Sequence, residues 1–396
     1  MYTGPKLTND DLVFGYDTGY GVADNATSTR FYPGEPTTNL YTNSDFSNNG
    51  AGWTFSSWDG NISHAAATLE GPYGEIVSAR KLTVNAASSY SHFHQYNGSK
   101  YASGNTYTTS AWVKGNGVFQ IKSHWGGNVS LTLTGEWQRI SQTVTASTSA
   151  SNNFPYLAGE SLTVGTDCYV TMCQTELKGN ATPYVHSGST TGSRSNTTSL
   201  IDLKGETDIN VSSVSFTSTG QPDFDGTDDE IQIASSDWNK VTQVTVEAIV
   251  LVKGTPIDGN GYHVVAQKDG AYSGGSVYGI RISGANVPYG VFSKDSTQAG
   301  THINTVAGTT MTTNKYYHLV YTRKVGESVF YQNGEQKSIN TSSNDVIYNN
   351  TSTFTIGQGD GRQLYGNIPV LKVHNSVLSA TEIADNFNAY KNRFNI

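Results

Sequence analysis

The densest run of carboxylates in the chain is FDGTDDE, where Asp225, Asp228 and Asp229 surround Gly226 and Thr227. A hard cation such as Ca2+ asks for several carboxylate and carbonyl oxygens converging from loops, and these three, with Asp360 of GQGDGR, have the chemistry to supply them. Asp and Gly at such spacing also serve the backbone of a turn, and that plainer reading carries more weight for FDGTDD. A second set is aromatic. Trp53, Trp58 and Trp125, with His92, His94 and His124, give one stretch of chain flat rings and polar groups together. Sugar recognition uses both: rings against the apolar face of a pyranose, and a few polar atoms to fix its orientation. Trp112 and Trp137 fall in strand patterns that point to packing, and the same reading is open for Trp53.

Other chemistries find less support. HFH at 92–94 sets two imidazoles on one face of a strand, but no third and fourth ligand follows nearby, so zinc is not expected. Glycoside hydrolysis needs two carboxyl groups about 5 Å or about 6.5–9.5 Å apart. Glu247 stands alone in TVEAIV, and no G-x-S-x-G elbow occurs. The expectation is a protein that is not an enzyme.

The elements that must position these residues read as strands. Of 396 residues only 14% are charged, while Gly reaches 42 and Tyr 24, a composition of strands and turns. Period-two runs such as YTTSAWVKG, VFQIKS, CYVTMCQTEL, VTVEAIVLVKG, VYGIRISG and YYHLVYTRKVG recur with turn residues between them. Asn333-Gly334 is the strongest hairpin turn. One helix is predicted near the C-terminus: Ser379 and Glu382 make a capping box, and Ile383, Phe387 and Tyr390 form a stripe that docks it. The length leaves room for two cores, and HSGSTTGSRSNTTS (186–199) reads as an exposed connector between strand-rich halves.

The formal net charge of −8 argues against nucleic acid as a partner, because phosphate binding rests on clustered Lys and Arg. No apolar stretch reaches the roughly 18 residues of a membrane span, so membrane insertion is not expected. MYTGPKLTNDDL has no basic region followed by an apolar run and does not read as a secretory signal. Cys168 and Cys173 lie in one strand-like run, where five steps separate them by roughly 16 Å, beyond disulfide reach; free thiols are expected.

From about Ser199 onward the chain resembles the concanavalin A-like, laminin G-like jelly-roll family. The residues carrying the resemblance are FDGTDDEIQI, TVEAIVLVKG, KYYHLVYTR, VFYQNGEQ, TFTIGQGDG and VHNSVLSATEI, six motifs in order. Pro369 in IPVLKV departs from it, where members often carry an acidic residue. A strand similar to the family's first, LVFGYDTG, lies near the N-terminus, almost two hundred residues before LIDLKG. A second module is therefore expected inside the first. The stretch from GEPTTNLYTNSDFSNNGAGWTF to MCQTELKGNATPYV resembles the galactose-binding-like jelly rolls of carbohydrate-binding modules and virion proteins. The expected fold class is all-β, two antiparallel β-sandwich (jelly-roll) domains with one short C-terminal helix. The expected bounds are 1–38 and 188–396 for the lectin-like domain and 39–187 for the insert.

The resemblance implies calcium near Asp225, Asp228 and Asp229, and a structural calcium flanked by Asp45 and Glu176 in the insert, with two solvated carboxylates as the equal alternative. It also implies a tailed-phage virion protein, in capsid decoration, tail or fibre, whose partners are other virion proteins or host-surface glycans and which assembles as a homo-oligomer, trimers included. An autonomous carbohydrate-binding adhesin is the alternative, and a polysaccharide depolymerase the third.

Overall fold

The computed structural model describes residues 7–19, 32–57, 59–88, 90–96, 100–147, 155–257, 261–270, 276–294 and 302–396. These residues form antiparallel sheets throughout, and α1 (Ala380–Phe394) is the one α-helix among them. The chain divides into two compact units, residues 1–20 with 196–396, and residues 21–195. Set against the expected bounds of 38 and 188, the inner unit is longer at both ends. The reason is local pairing: β2 (Thr37–Asn39) runs antiparallel to β13 (Gly192–Arg194), so both strands go with the inner unit.

In the discontinuous unit one sheet runs, in spatial order, β14 (Ser215–Phe216), β15 (Pro222–Asp225), β28 (Tyr365–His374), β17 (Val244–Val252), β22 (Tyr316–Lys324), β23 (Glu327–Gln332) and β24 (Glu335–Asn340). β1 (Leu12–Asp17) pairs with β28 over Val370–His374, past the end that holds β15. The facing sheet runs β16 (Ile231–Ile233), β25 (Phe354–Ile356), β18 (Tyr262–Asp269), β19 (Ser276–Ser283), β20 (Pro288–Ser293) and β21 (His302–Ala307), with a small hairpin of β26 (Gln358–Gly359) and β27 (Arg362–Gln363). Inward residues of both sheets, among them Phe14, Phe224, Val246, Ile280, Leu319 and Phe354, close one dry core. Asn333 and Gly334 have φ of 53° and 77°, the left-handed pair that a two-residue hairpin demands. Gly334 is needed twice, since a Cβ there would come within 2.8 Å of the Phe387 ring.

The capping box forms as the sequence predicts, with Ser379 accepting from the Glu382 amide and Glu382 accepting from that of Ser379. The docking stripe differs in one member: Ile383, Asn386, Tyr390 and Phe394 are buried, and Phe387 is half-buried. Asn386 turns inward because it has a buried partner, Glu247.

The inner unit is a second sandwich. One sheet runs β10 (Gln138–Thr145), β7 (Thr106–Lys114), β12 (Asp167–Glu176), β5 (Ile76–Val84), β4 (Ile62–Glu70); the other runs β3 (Thr54–Ser57), β6 (Ser91–His94), β11 (Pro155–Leu162), β8 (Asn116–Ser123), β9 (Asn128–Thr134). Phe93, Phe119, Ile121, Leu157, Val113 and Val170 meet between them. Both cysteines are free and buried in β12, and burial pushes the Cys168 thiol up to about 12, which removes it from thiolate chemistry.

Candidate functional site

Period-two alternation decides which residues of the β3–β6–β11–β8–β9 sheet look away from the core. Phe93 and Leu157, paired in register, point inward. Their neighbours His92, His94 and Tyr156 therefore share the opposite face, and register extends the row through Ala158 to Gln120 and through Tyr156 to Lys122. The rings on this face form a chain of edge and tilted contacts. Tyr90 meets His92 at 4.6 Å between centroids, His92 meets Tyr156 at 4.8 Å and His94 at 5.2 Å, and His94 meets Tyr96 at 4.7 Å. His124, in the turn after β8, reaches Tyr156 at 5.5 Å. Polar groups edge the row: Lys122 pairs with Glu160, and Gln120 donates to the Ser130 hydroxyl at 2.8 Å.

His92 and His94 are 5% and 3% exposed, at the centre of the row, whereas Tyr96 is 63% exposed and Tyr156 half-buried. Burial, helped by the positive charge of Lys122 in the case of His92, lowers both imidazoles to about 4. Both rings are neutral over the ordinary pH range. An imidazole whose folded pKa lies below its unfolded value contributes stability that is present above about 6.5 and is lost as pH falls toward about 4. The inner unit's melting temperature is therefore expected to fall across that window. Replacing His92 and His94 together with glutamine should flatten the fall; an unchanged slope in the double variant would place the titrating groups elsewhere.

The sequence candidates distribute unevenly around this face. His92 and His94 lie on it. Trp53 packs into the core, 4.8 Å from Tyr41 and 5.0 Å from Phe46, and its indole N–H donates to the Asn43 carbonyl at 3.0 Å. The hollow beside it holds about 20 Å3, room for about one water and not for a sugar. Trp125 packs on Tyr101 at 5.1 Å and Tyr107 at 6.4 Å, so its faces too are taken up internally. Trp58 lies outside the described residues. The rings that complete the row, Tyr90, Tyr96 and Tyr156, were missed; the signal for Tyr156 was the period-two position it holds in PYLAGESL.

The carboxylate candidates do not gather in one place. Asp225, Asp228 and Asp229 do come together, with ligand oxygens within 4.8 Å of one another. Two of them already serve the turn, Asp225 accepting from the Thr227 amide at 2.7 Å and Asp229 from the Asp225 amide at 2.8 Å. Burial raises Asp229 to about 6, the neighbouring carboxylates adding to the shift. Asp360 does not join this group; it pairs with Arg362 at 3.2 Å and accepts from the Tyr262 hydroxyl. Asp45 and Glu176 each have protein partners of their own. Asp45 sits 3.5 Å from His186, while Glu176 is fully buried and accepts from the Thr182 amide, the Thr182 hydroxyl and the Gln174 side chain. Glu247 is buried as well, bonded to His318 at 2.7 Å and Asn386 at 3.0 Å beneath α1.

Comparison with known proteins gives a family only for part of the chain. Residues 224–384 match the model of the concanavalin A-like lectin/glucanases superfamily. No curated protein matches the sequence. Among solved structures the chain is similar to the binding domain of paraclostridial mosquitocidal protein 1, at 14% identity over 49% of this chain and 50% of that one, with a TM-score of 0.40. It is similar to a Trypanosoma rangeli sialidase in complex with sialic acid, at 13% identity over 83% of this chain and 53% of that one, with a TM-score of 0.38. Domain 4 of an extracellular arabinanase from Geobacillus stearothermophilus, in complex with arabinotriose, matches at 14% identity over 47% of this chain and 91% of that one, with a TM-score of 0.33. The chain spans about half the length of the first of these solved chains.

Proposed function

We propose that this chain, lectin-like in its C-terminal part, is a non-catalytic glycan-recognition protein of a tailed-phage virion, with the outer face of the β3–β6–β11–β8–β9 sheet as its binding platform. The observation that carries the reading is the row Tyr90, His92, His94, Tyr96 and Tyr156, edged by Gln120, Lys122 and Glu160. The accessible rings, Tyr90, Tyr96 and Tyr156, offer apolar faces to a sugar with the buried His92 and His94 packed among them, and amide and charged groups at the margin orient its hydroxyls. The galactose-binding-like character of the inner unit rests on the resemblance of its terminal motifs. A structural cation at Asp225, Asp228 and Asp229 belongs to the same proposal. Three carboxylates suffice in number for a hard ion, and there they would hold the turn rather than the sugar.

A glycan array probed with the full chain, with and without Ca2+, tests this directly. Saturable binding is expected, with a loss of at least tenfold on Tyr156→Ala and an unchanged melting temperature, because Tyr156 is half-buried on an outer face. Silence across the array would sink the platform and leave attachment to other virion subunits as the role. Release of reducing ends from any polysaccharide would overturn the non-catalytic reading.

A further inference from the structure

The six-stranded sheet of the discontinuous unit carries a polar constellation on the face away from its core, and nothing in the platform above uses it. Ile280 and Ile282 point into the core, so Arg281 between them points out, directly across from Tyr289 on β20. Arg281 donates from Nε to Gln267 Oε1 at 2.9 Å and from Nη1 to the Tyr262 hydroxyl at 2.8 Å, with its guanidinium carbon 4.7 Å from the centre of the Tyr262 ring. The backbone is cut to fit this arrangement. Gln267 is paired with Gly279, where a Cβ would come within 2.6 Å of the Gln267 Cβ, and a Cβ at Gly359 would meet the Gln267 amide nitrogen at 2.3 Å.

Among the described residues no carboxylate touches Arg281 directly. Arg281 is 3% exposed, its two hydrogen-bond partners are neutral, and among the described residues no carboxylate forms an ion pair with it. Its Nη2 is buried and makes no hydrogen bond to a described residue, and the same holds for Nε of Arg362, whose guanidinium lies 4.9 Å from the same Tyr262 ring. Two carboxylates stand one residue removed: Asp360 pairs with Arg362 and accepts from the Tyr262 hydroxyl, and Asp269 accepts from the Gln267 amide. A buried guanidinium without a directly bonded anion is costly, because desolvation of the charge is compensated only at a distance. Its planar fork matches a carboxylate in two parallel bonds. Tyr262 and Tyr289 are half-buried and border the fork with flat rings.

We infer that Arg281, with Arg362, Tyr262, Tyr289 and Gln267, takes the carboxylate of an acidic sugar residue. The carboxylate bonds the unpaired Nη2 of Arg281, Arg362 shifts on the Tyr262 ring to add its free Nε–H, and the tyrosine rings receive the sugar ring. The site is independent of the Tyr156 platform and differs from it in ligand charge.

The test uses the full chain and titration calorimetry against oligogalacturonate, a glucuronate oligosaccharide and sialyllactose, with methyl-esterified oligogalacturonate and poly-glutamate as comparators. Binding of at least one acidic glycan is expected, weakened at least tenfold by esterification of its carboxylates and at least tenfold by Arg281→Met. The same variant leaves Gln267 Oε1 and the Tyr262 hydroxyl without their donor but should remain cooperatively folded, so that lost affinity reports the site. Arg281→Lys should recover little of the affinity, and Tyr156→Ala should leave it unchanged. Failure of the wild type on all three acidic glycans overturns the inference, as does an Arg281→Met protein that binds as before. Poly-glutamate binding as tight as the glycan's would reassign the surface to acidic protein segments.

Discussion

Replacing Glu247 with alanine is expected to destabilise the discontinuous unit by about 3–5 kcal/mol, the range for removing one member of a buried, hydrogen-bonded charge set. Glu247 is fully buried between β17 and α1. It accepts from His318 Nε2 and from the Asn386 amide, with His374 Nε2 4.0 Å away and the buried Lys372 adding positive charge. Burial alone would raise its carboxyl, but the bond to His318 and the surrounding cations win, and it is held down from 4.5 to about 2. The sign of the pH dependence follows. A carboxyl with a depressed folded pKa contributes stability that is complete above about 4.5 and is lost as pH falls toward about 2. That depression corresponds to about 3 kcal/mol. Calorimetric melting of wild type and Glu247→Gln at a series of pH values should show two curves far apart at pH 6 that converge near pH 2. A gap that stays constant to pH 2 would mean that the carboxylate's charge contributes nothing and that only shape matters.

Arg194→Ala should strike the inner unit as hard. Arg194 is 4% exposed and distributes its donors over the carbonyls of Tyr32, Glu35 and Pro183 and the Thr182 hydroxyl, with the buried Glu176 close enough to feel its charge. One guanidinium thus ties the entering and leaving segments of the unit. Burial lowers it to about 10, still charged at neutral pH. Alanine leaves the carbonyls without donors and Glu176 undercompensated, an expected loss of about 3–5 kcal/mol, or roughly 10 °C in the unit's melting temperature. Tryptophan fluorescence isolates the event, since five of the six tryptophans lie in residues 21–195. Lysine at the same position keeps the charge but cannot reach several carbonyls from one ammonium. It should recover less than half of the loss, and full recovery would show that charge alone, not the fork, holds the segments.

How much of this was legible beforehand depended on sequence distance. The strand runs, the Asn333-Gly334 turn, the Ser379 capping box and the free cysteines are local patterns, and each stands in the structure as read. His92 and His94 were found as a local pair, but the Tyr156 that joins them arrives through strand register more than sixty residues later. Glu247 read as a lone carboxylate because its partners are 71 and 139 residues away. Arg281 carried no local signal beyond its place in an alternating strand. Trp53 and Trp125 pack against neighbouring rings, because a large ring in a small sandwich gains from partial burial.

The pairing of β2 with β13 has a bearing on synthesis. The partner of β1, β28, is made more than 350 residues after it, so the strand must wait for all the residues between them. Everything in residues 21–195 is available long before that, and can fold as a unit while the rest is still being translated. Once it has folded, the clasp of Thr37–Asn39 on Gly192–Arg194 brings its ends together. The separation of about 350 residues between β1 and β28 then behaves as one of about 180, and the closure entropy that β1 must overcome to find its sheet falls by about 0.6 kcal/mol.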